Sequence, residues 1–281
     1  MSVTHRSLEL RSRAGDPIRG DVRARANDND GAAIVVCHGF KGFKDWGFFP
    51  YVCEQLAERT GYPVVSFNFS LNGIGKEPQT FTELEMFARN TFSREMDDLK
   101  VVLDAITAGR LPGLTARSRF GLLGHSRGGV STIITSAEDD RIHALVTWSA
   151  VSHVDRWDEE QRTEWRRKGR IEVLNARTGQ MMPLGIELLE DVEQNRDRLD
   201  VLAAVSRLNV PYLILHGSHD ESVSVSEAEE IRAAHPGDGV RLERIDGAGH
   251  TYGAVHPFEG STDHLDRVID LSVEWFCRHL V

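Results

Sequence analysis

Apolar and polar positions along the chain follow two different periods. Residues 6–11 (RSLELR) alternate, and so do residues 18–25 after Gly15-Asp16-Pro17, which predicts an antiparallel hairpin at a sheet edge. Residues 32–39 (AAIVVCHG) form an unbroken apolar run closed by glycine, the pattern of a central strand buried on both faces. The following FFPYVCEQLAERTGY has helical spacing and a glycine stop at Gly61. The signals then alternate: a strand at 63–70, an amphipathic helix at 92–109, a strand at 119–126, a helix opening at Arg127 and a strand at 142–151. Two more strands, 210–217 and 239–249, flank the helix SEAEEIRAAH, and a last helix runs through HLDRVIDLSVEWFCRHL. This order predicts an α/β domain whose strands are mostly parallel and joined by right-handed helical crossovers.

Residues 152–205 interrupt the rhythm. They are polar and rich in Arg, Glu and Trp, and they read as an inserted, mainly helical cap. The core domain is then 1–151 with 206–281. The basic run RTEWRRKGR (162–170) reads as the solvated face of a helix. A substrate carboxylate on Arg166, Arg167 or Arg170 is the sharper alternative. Trp157 and Trp165, eight apart, fit one helical face, either packing the cap onto the core or lining an acyl pocket.

Composition narrows the function. The chain has 281 residues, 40% hydrophobic and 27% charged, which suits one large globular domain with an insertion. A formal net charge of -10 argues against nucleic acid and against an anionic membrane surface. The three cysteines, Cys37, Cys53 and Cys277, are widely spaced and read as free thiols. With no apolar leader and no membrane-spanning run, a soluble, cytoplasmic protein is expected.

Residues 119–132 (RFGLLGHSRGGVST) place Ser126 between Gly124 and Gly128, where an apolar strand meets a helix. A serine hydroxyl is a weak nucleophile unless a base takes its proton and an acid orients that base. A strained strand-to-helix turn exposes such a serine and needs small residues two places either side. Asp220 follows the strand that ends at Gly217, with Glu221 as its nearest rival. Ser224 and Glu227 beyond it have capping-box spacing. His250 follows the last strand in a glycine-flanked loop and is the expected base; His256, before a proline, is the alternative. The expected oxyanion donors are the backbone N–H groups of Arg127 and Phe40. His38 reads as structural. Asp45 and Trp46 are placed at the pocket mouth, and Trp46, His125 and His256 are the expected substrate contacts. A metal site from His216, His219, Asp220 and His250 is disfavoured, because its spacing is not that of a metal-binding pair.

With the motifs HGF (38–40), GHSRGG (124–129), HGSHDESV (216–223) and GAGHTYGAVHPF (247–258), the chain resembles the α/β-hydrolase superfamily from about residue 30 onward. Within it, CHGFKGFKDWGFFP is similar to dienelactone hydrolases, feruloyl esterases and acyl-peptide hydrolases. The resemblance implies a mostly parallel sheet of about eight strands, acyl transfer to water through an acyl-serine, and no metal or organic cofactor. Ser126 stands where dienelactone hydrolases proper carry cysteine, so their substrate does not carry over. The expected activity is a carboxylesterase acting on a small-molecule ester. The alternatives are an aminopeptidase-like or acyl-peptide hydrolase and, more remotely, a non-catalytic binding protein; a homodimer is left open.

Overall fold

The computed structural model describes residues 2–26 and 31–280. β1 (Val3–Arg11) and β2 (Pro17–Arg25) pair antiparallel and form the expected edge hairpin. β3 (Ala32–Cys37), α1 (Phe49–Thr60), β4 (Val64–Phe67), α2 (Leu84–Ala88), α3 (Phe92–Thr107), β5 (Arg119–His125), α4 (Arg127–Glu138) and β6 (Ile142–Trp148) follow. Next come α5 (Glu159–Lys168), β7 (Arg170–Asn175), β8 (Gln180–Gly185), α6 (Ile186–Gln194) and α7 (Val201–Val205). β9 (Tyr212–Gly217), α8 (Val225–Ala234), β10 (Val240–Ile245) and α9 (Asp263–His279) complete the core.

Eight strands form one sheet in the order β1-β2-β4-β3-β5-β6-β9-β10. Only β1–β2 and β2–β4 are antiparallel; the other neighbours run parallel. All six residues of β3 and all six of β9 are buried, because helices cover both faces. α1 and α9 pack on one face, and α3, α4, α7 and α8 on the other. Local signals stop the helices as the sequence suggests. Gly61 ends α1 in the left-handed conformation (φ 74°), donating its N–H to Ala57. Thr91 and Thr262 cap α3 and α9 by accepting from Arg94 and Leu265 N–H. No helix among the described residues is long and apolar enough to cross a membrane.

One expectation needs correction and another an addition. The capping box at α8 does not form: Ser224 accepts from Ser226 N–H. Glu227 turns away to accept from the Ser152 N–H at 2.8 Å, because the chain leaving β6 passes over the start of α8. The inserted segment 152–205 holds the expected helices, but it also contains an unexpected strand pair. α5 leads into an antiparallel β7–β8 ribbon in which Val173 pairs Met182. Helical patterning misses this ribbon because one side of β7 stays in water. At the other end of 152–205, α7 packs on α4 and α8 and so joins the core layer.

Because the strands after β2 are parallel, the C-terminal ends of β3, β5, β9 and β10 share one edge of the sheet. The loops there must pass close together. A Cβ on Gly217 would lie 2.3 Å from the carbonyl oxygen of Ala248, in the loop beyond β10. Gly217→Ala is therefore expected to cost about 1–3 kcal/mol and to lower Tm by several degrees in thermal unfolding. An unchanged Tm would show that the two loops have slack.

Candidate active site

β5 delivers Ser126 to this edge with φ 56° and ψ -123°, a backbone conformation that costs a non-glycine residue on the order of 1–3 kcal/mol. The motif glycines make the turn sterically feasible. A Cβ on Gly124 would lie 2.6 Å from the Gly128 carbonyl oxygen, and one on Gly128 would lie 2.5 Å from that of His38. The Ser126 N–H is held by the Trp148 carbonyl at 2.9 Å. Arg127 opens α4, so its N–H belongs to the first turn, which has no intrahelical acceptors. The loop after β3 runs alongside: a Cβ on Gly39 would sit 2.9 Å from that of Ser126.

Asp220, leaving β9, is buried, and His250, leaving β10, is half-buried. His250 Nδ1 donates to Asp220 Oδ2 at 2.8 Å. The other carboxylate oxygen accepts the N–H groups of Ser222 and Val223, each at 2.9 Å. Burial pushes the Asp220 pKa up, but the hydrogen bond and charge of His250, aided by the Val223 N–H, outweigh it and hold it at about 2. Asp220 is therefore a carboxylate at neutral pH, and its partner must carry the proton on Nδ1. That leaves His250 Nε2 free to accept. Glu221 is exposed and does not compete.

Ser126 and His250 line the same two spaces: a cavity of about 370 Å³ and a narrow recess of about 20 Å³. Phe40 lines both. The larger cavity lies under the cap and has mainly apolar walls, among them Phe92, Val154, Trp157, Leu184 and Leu188.

The expected substrate contacts divide. Trp46 is buried and lines the recess. His125 also lines the recess, but its ring is occupied: Nε2 donates to the His250 carbonyl at 3.0 Å. Burial, with the neighbouring His250, lowers its pKa to about 3, so it stays neutral. His256 lies on the wall of neither space. It accepts the Gly47 N–H on Nδ1 at 3.0 Å and stacks on Trp46 at 5.9 Å, so it shapes the loop that carries Trp46. Asp45 is taken up by an ion pair with Lys44 at 2.7 Å. His38 is buried, donates Nδ1 to the Gly39 carbonyl at 2.9 Å, and is kept neutral by burial with a pKa of about 4.

Trp157 and Trp165 meet edge-on at 5.0 Å, although Trp157 precedes α5 and is not on it. Trp157 lines the cavity, whereas Trp165 is fully buried in the cap and donates to the Leu184 carbonyl. Arg166, Arg167 and Arg170 are exposed and paired with Glu193, Glu164 and Glu85, away from the cavity. Among the described residues, no three His, Cys, Asp or Glu side chains are grouped to hold a metal.

Sequence reading missed Glu95. This buried carboxylate on α3 pairs with Arg127 Nε at 3.0 Å, and Phe92 lies 3.9 Å beneath the guanidinium. The pair ties α3 to the first residue of α4, whose backbone borders Ser126. Only the tertiary fold brings the two together, so no spacing signals it.

The fold and this serine site are those of a serine hydrolase of the α/β-hydrolase superfamily. Residues 54–280 match the model of the prolyl oligopeptidase family, and the chain belongs to that family. No curated protein matches it. Among solved structures, it is similar to Est1E from Butyrivibrio proteoclasticus with ferulic acid bound (19% identity, TM-score 0.73, 96% of this chain and 98% of that one). It is also similar to the esterase domain of a Rhodothermus marinus protein (17%, TM-score 0.68, 99% and 100%). A dienelactone hydrolase from Anabaena variabilis ATCC 29413 aligns over the full length of both chains (16%, TM-score 0.64, 100% and 100%). At these identities the likeness is one of fold.

Removing one partner of a buried ion pair leaves a charge without compensation. Glu95→Ala is expected to cost about 3–5 kcal/mol, read as a lower urea midpoint with unchanged slope. A midpoint equal to that of the unaltered protein would mean that Arg127 has another partner.

Proposed function

We propose that this protein hydrolyses carboxylic esters through an acyl-serine on Ser126. The observation that carries this reading is the 2.8 Å hydrogen bond from His250 Nδ1 to Asp220, beside a strained serine that shares its cavity. Ser126 Oγ attacks the ester carbonyl carbon while His250 Nε2 takes its proton. Asp220 holds the ring in the required tautomer and balances the imidazolium. Negative charge collects on the former carbonyl oxygen, where the N–H groups of Phe40 and Arg127 stabilise it. The intermediate collapses, the C–O bond to the alcohol breaks, and His250 returns the proton to the departing oxygen. A water molecule repeats the sequence on the acyl-serine and releases the carboxylic acid.

Two features favour esters. The cavity under the cap is small and largely apolar, which suits a short acyl group. Est1E and the Rhodothermus marinus domain, similar in fold over nearly the whole chain, include one protein described as an esterase domain and one bound to ferulic acid. The second reading is cleavage of amide bonds, favoured by membership of the prolyl oligopeptidase family.

Initial rates on p-nitrophenyl esters of increasing acyl length, beside aminoacyl p-nitroanilides, separate the two. Ester turnover with a maximum at one short chain length is expected; turnover of the anilides alone would transfer the assignment to a peptidase. Ser126→Ala is expected to lower kcat by about 10⁴ or more with the fold retained, as judged by circular dichroism. Asp220→Asn is expected to lower kcat by about 10³–10⁴, because the amide no longer enforces the Nδ1–H tautomer. Rates preserved in Asp220→Asn would remove that residue from the mechanism.

A further inference from the structure

The cavity beside Ser126 has a charge pattern opposite to that of the protein. The chain carries a formal net charge of -10, yet among the described residues no Asp or Glu lines this cavity, and four cations do: Lys41, Arg127, Arg156 and Arg177. Two of the four are neutralised. Arg127 pairs with Glu95, and Arg156 with Glu227. Among the described residues, the other two have no carboxylate partner. Lys41 Nζ donates to the Leu174 carbonyl at 3.1 Å and lies 5.4 Å from the Phe40 ring centroid. Arg177, in the turn of the β7–β8 ribbon, lies over Trp46 at 4.6 Å.

Their positions are significant. Lys41 follows the expected oxyanion donor Phe40. Arg177 lines both the cavity and the recess, each time together with Ser126 and His250. The Lys41–Leu174 hydrogen bond holds the ribbon against the Phe40 loop, so cations from two different elements line the cavity that Ser126 and His250 share. Desolvation lowers the pKa of both, and Arg177 further lowers that of Lys41. Two like charges on one cavity disfavour each other's charged form, and an anion entering beside them relieves this.

We infer that the substrate supplies this anion: the site takes esters that carry a second, negatively charged group, a carboxylate or a phosphoryl group, bound by Arg177 and Lys41. The inference rests on the hydrolase reading above and names its substrate class. The carboxylate-binding role moves from Arg166, Arg167 and Arg170, which the fold directs to surface ion pairs, to a turn arginine with no local sequence signature.

Binding without turnover tests it. Ser126→Ala protein is titrated calorimetrically with monomethyl adipate, its neutral analogue dimethyl adipate, and butyl phosphate. One of the two anions is expected to bind about 10-fold or more tightly than the neutral diester; which one does identifies the group as carboxylate or phosphoryl. That preference is expected to shrink with added salt and to collapse in Ser126→Ala combined with Arg177→Gln or with Lys41→Gln. Arg177 is exposed at a turn, so its replacement leaves the core packing intact. Equal binding of all three ligands, or a preference unaltered by both substitutions, would overturn the inference. In the enzyme with Ser126 intact, an equal slowing of charged and neutral p-nitrophenyl esters by Arg177→Gln would also overturn it, because Arg177 would then serve the reaction itself. Failure to turn over any ester would count against the hydrolase reading alone, since the calorimetric preference does not depend on turnover.

Discussion

The hydrogen bond between His250 and Asp220 requires two loops from neighbouring parallel strands to meet at one point, and much of the structure serves that requirement. β9 and β10 are in register so that Gly217 lies beside Ile245, and their following loops start level. Gly217 admits the backbone of Ala248, and His125 reaches across from β5 to hold the carbonyl of His250. The parallel order then places the strained Ser126 on the same sheet edge. A shift of β10 by one residue would turn its side chains to the opposite face and separate the pair.

Charge is handled differently on the two sides of this edge. Below it, several buried ionisable groups are matched or neutral. Glu95 meets Arg127, and burial keeps His38 and His125 uncharged. Above it, the cap brings Arg177 toward Lys41 with no carboxylate between them. An otherwise acidic protein therefore presents a local positive field in the cavity beside Ser126. Such a field attracts anionic ligands and strengthens as water leaves the cavity.

Much of this organisation was legible in the sequence, and the exceptions share a cause. β3, β5 and β9 declare themselves as apolar runs, and Ser126 and Asp220 follow two of them, whereas His250 follows the more polar β10 and is marked by its glycine-flanked loop. Signals of this kind are local, because a buried parallel strand needs continuous apolar residues whatever its neighbours are. The β7–β8 ribbon leaves no clear period in the sequence because it is short, half-exposed and stabilised by contacts outside itself. Trp165 is the clearest case: it is buried against the ribbon, donating to the Leu184 carbonyl, a partner that no helical spacing places beside it. His256, expected as a substrate contact, shapes the Trp46 loop instead. Its hydrogen bond to Gly47 joins segments far apart in the chain, and only the folded structure shows it. The Ser224–Glu227 box failed for the same reason, since Ser152 and Arg156 offered Glu227 stronger partners than its own helix did.

The central claim is that Ser126 becomes covalently acylated with His250 as its base. Rapid-quench mixing with a short-chain p-nitrophenyl ester, followed by intact-mass and peptide mass spectrometry, tests it directly. The account expects a burst of p-nitrophenol, with the acyl mass added on the peptide that contains Ser126, and no such adduct in His250→Ala. Steady turnover with the adduct on another residue, or an adduct on Ser126 formed equally fast in His250→Ala, would contradict it.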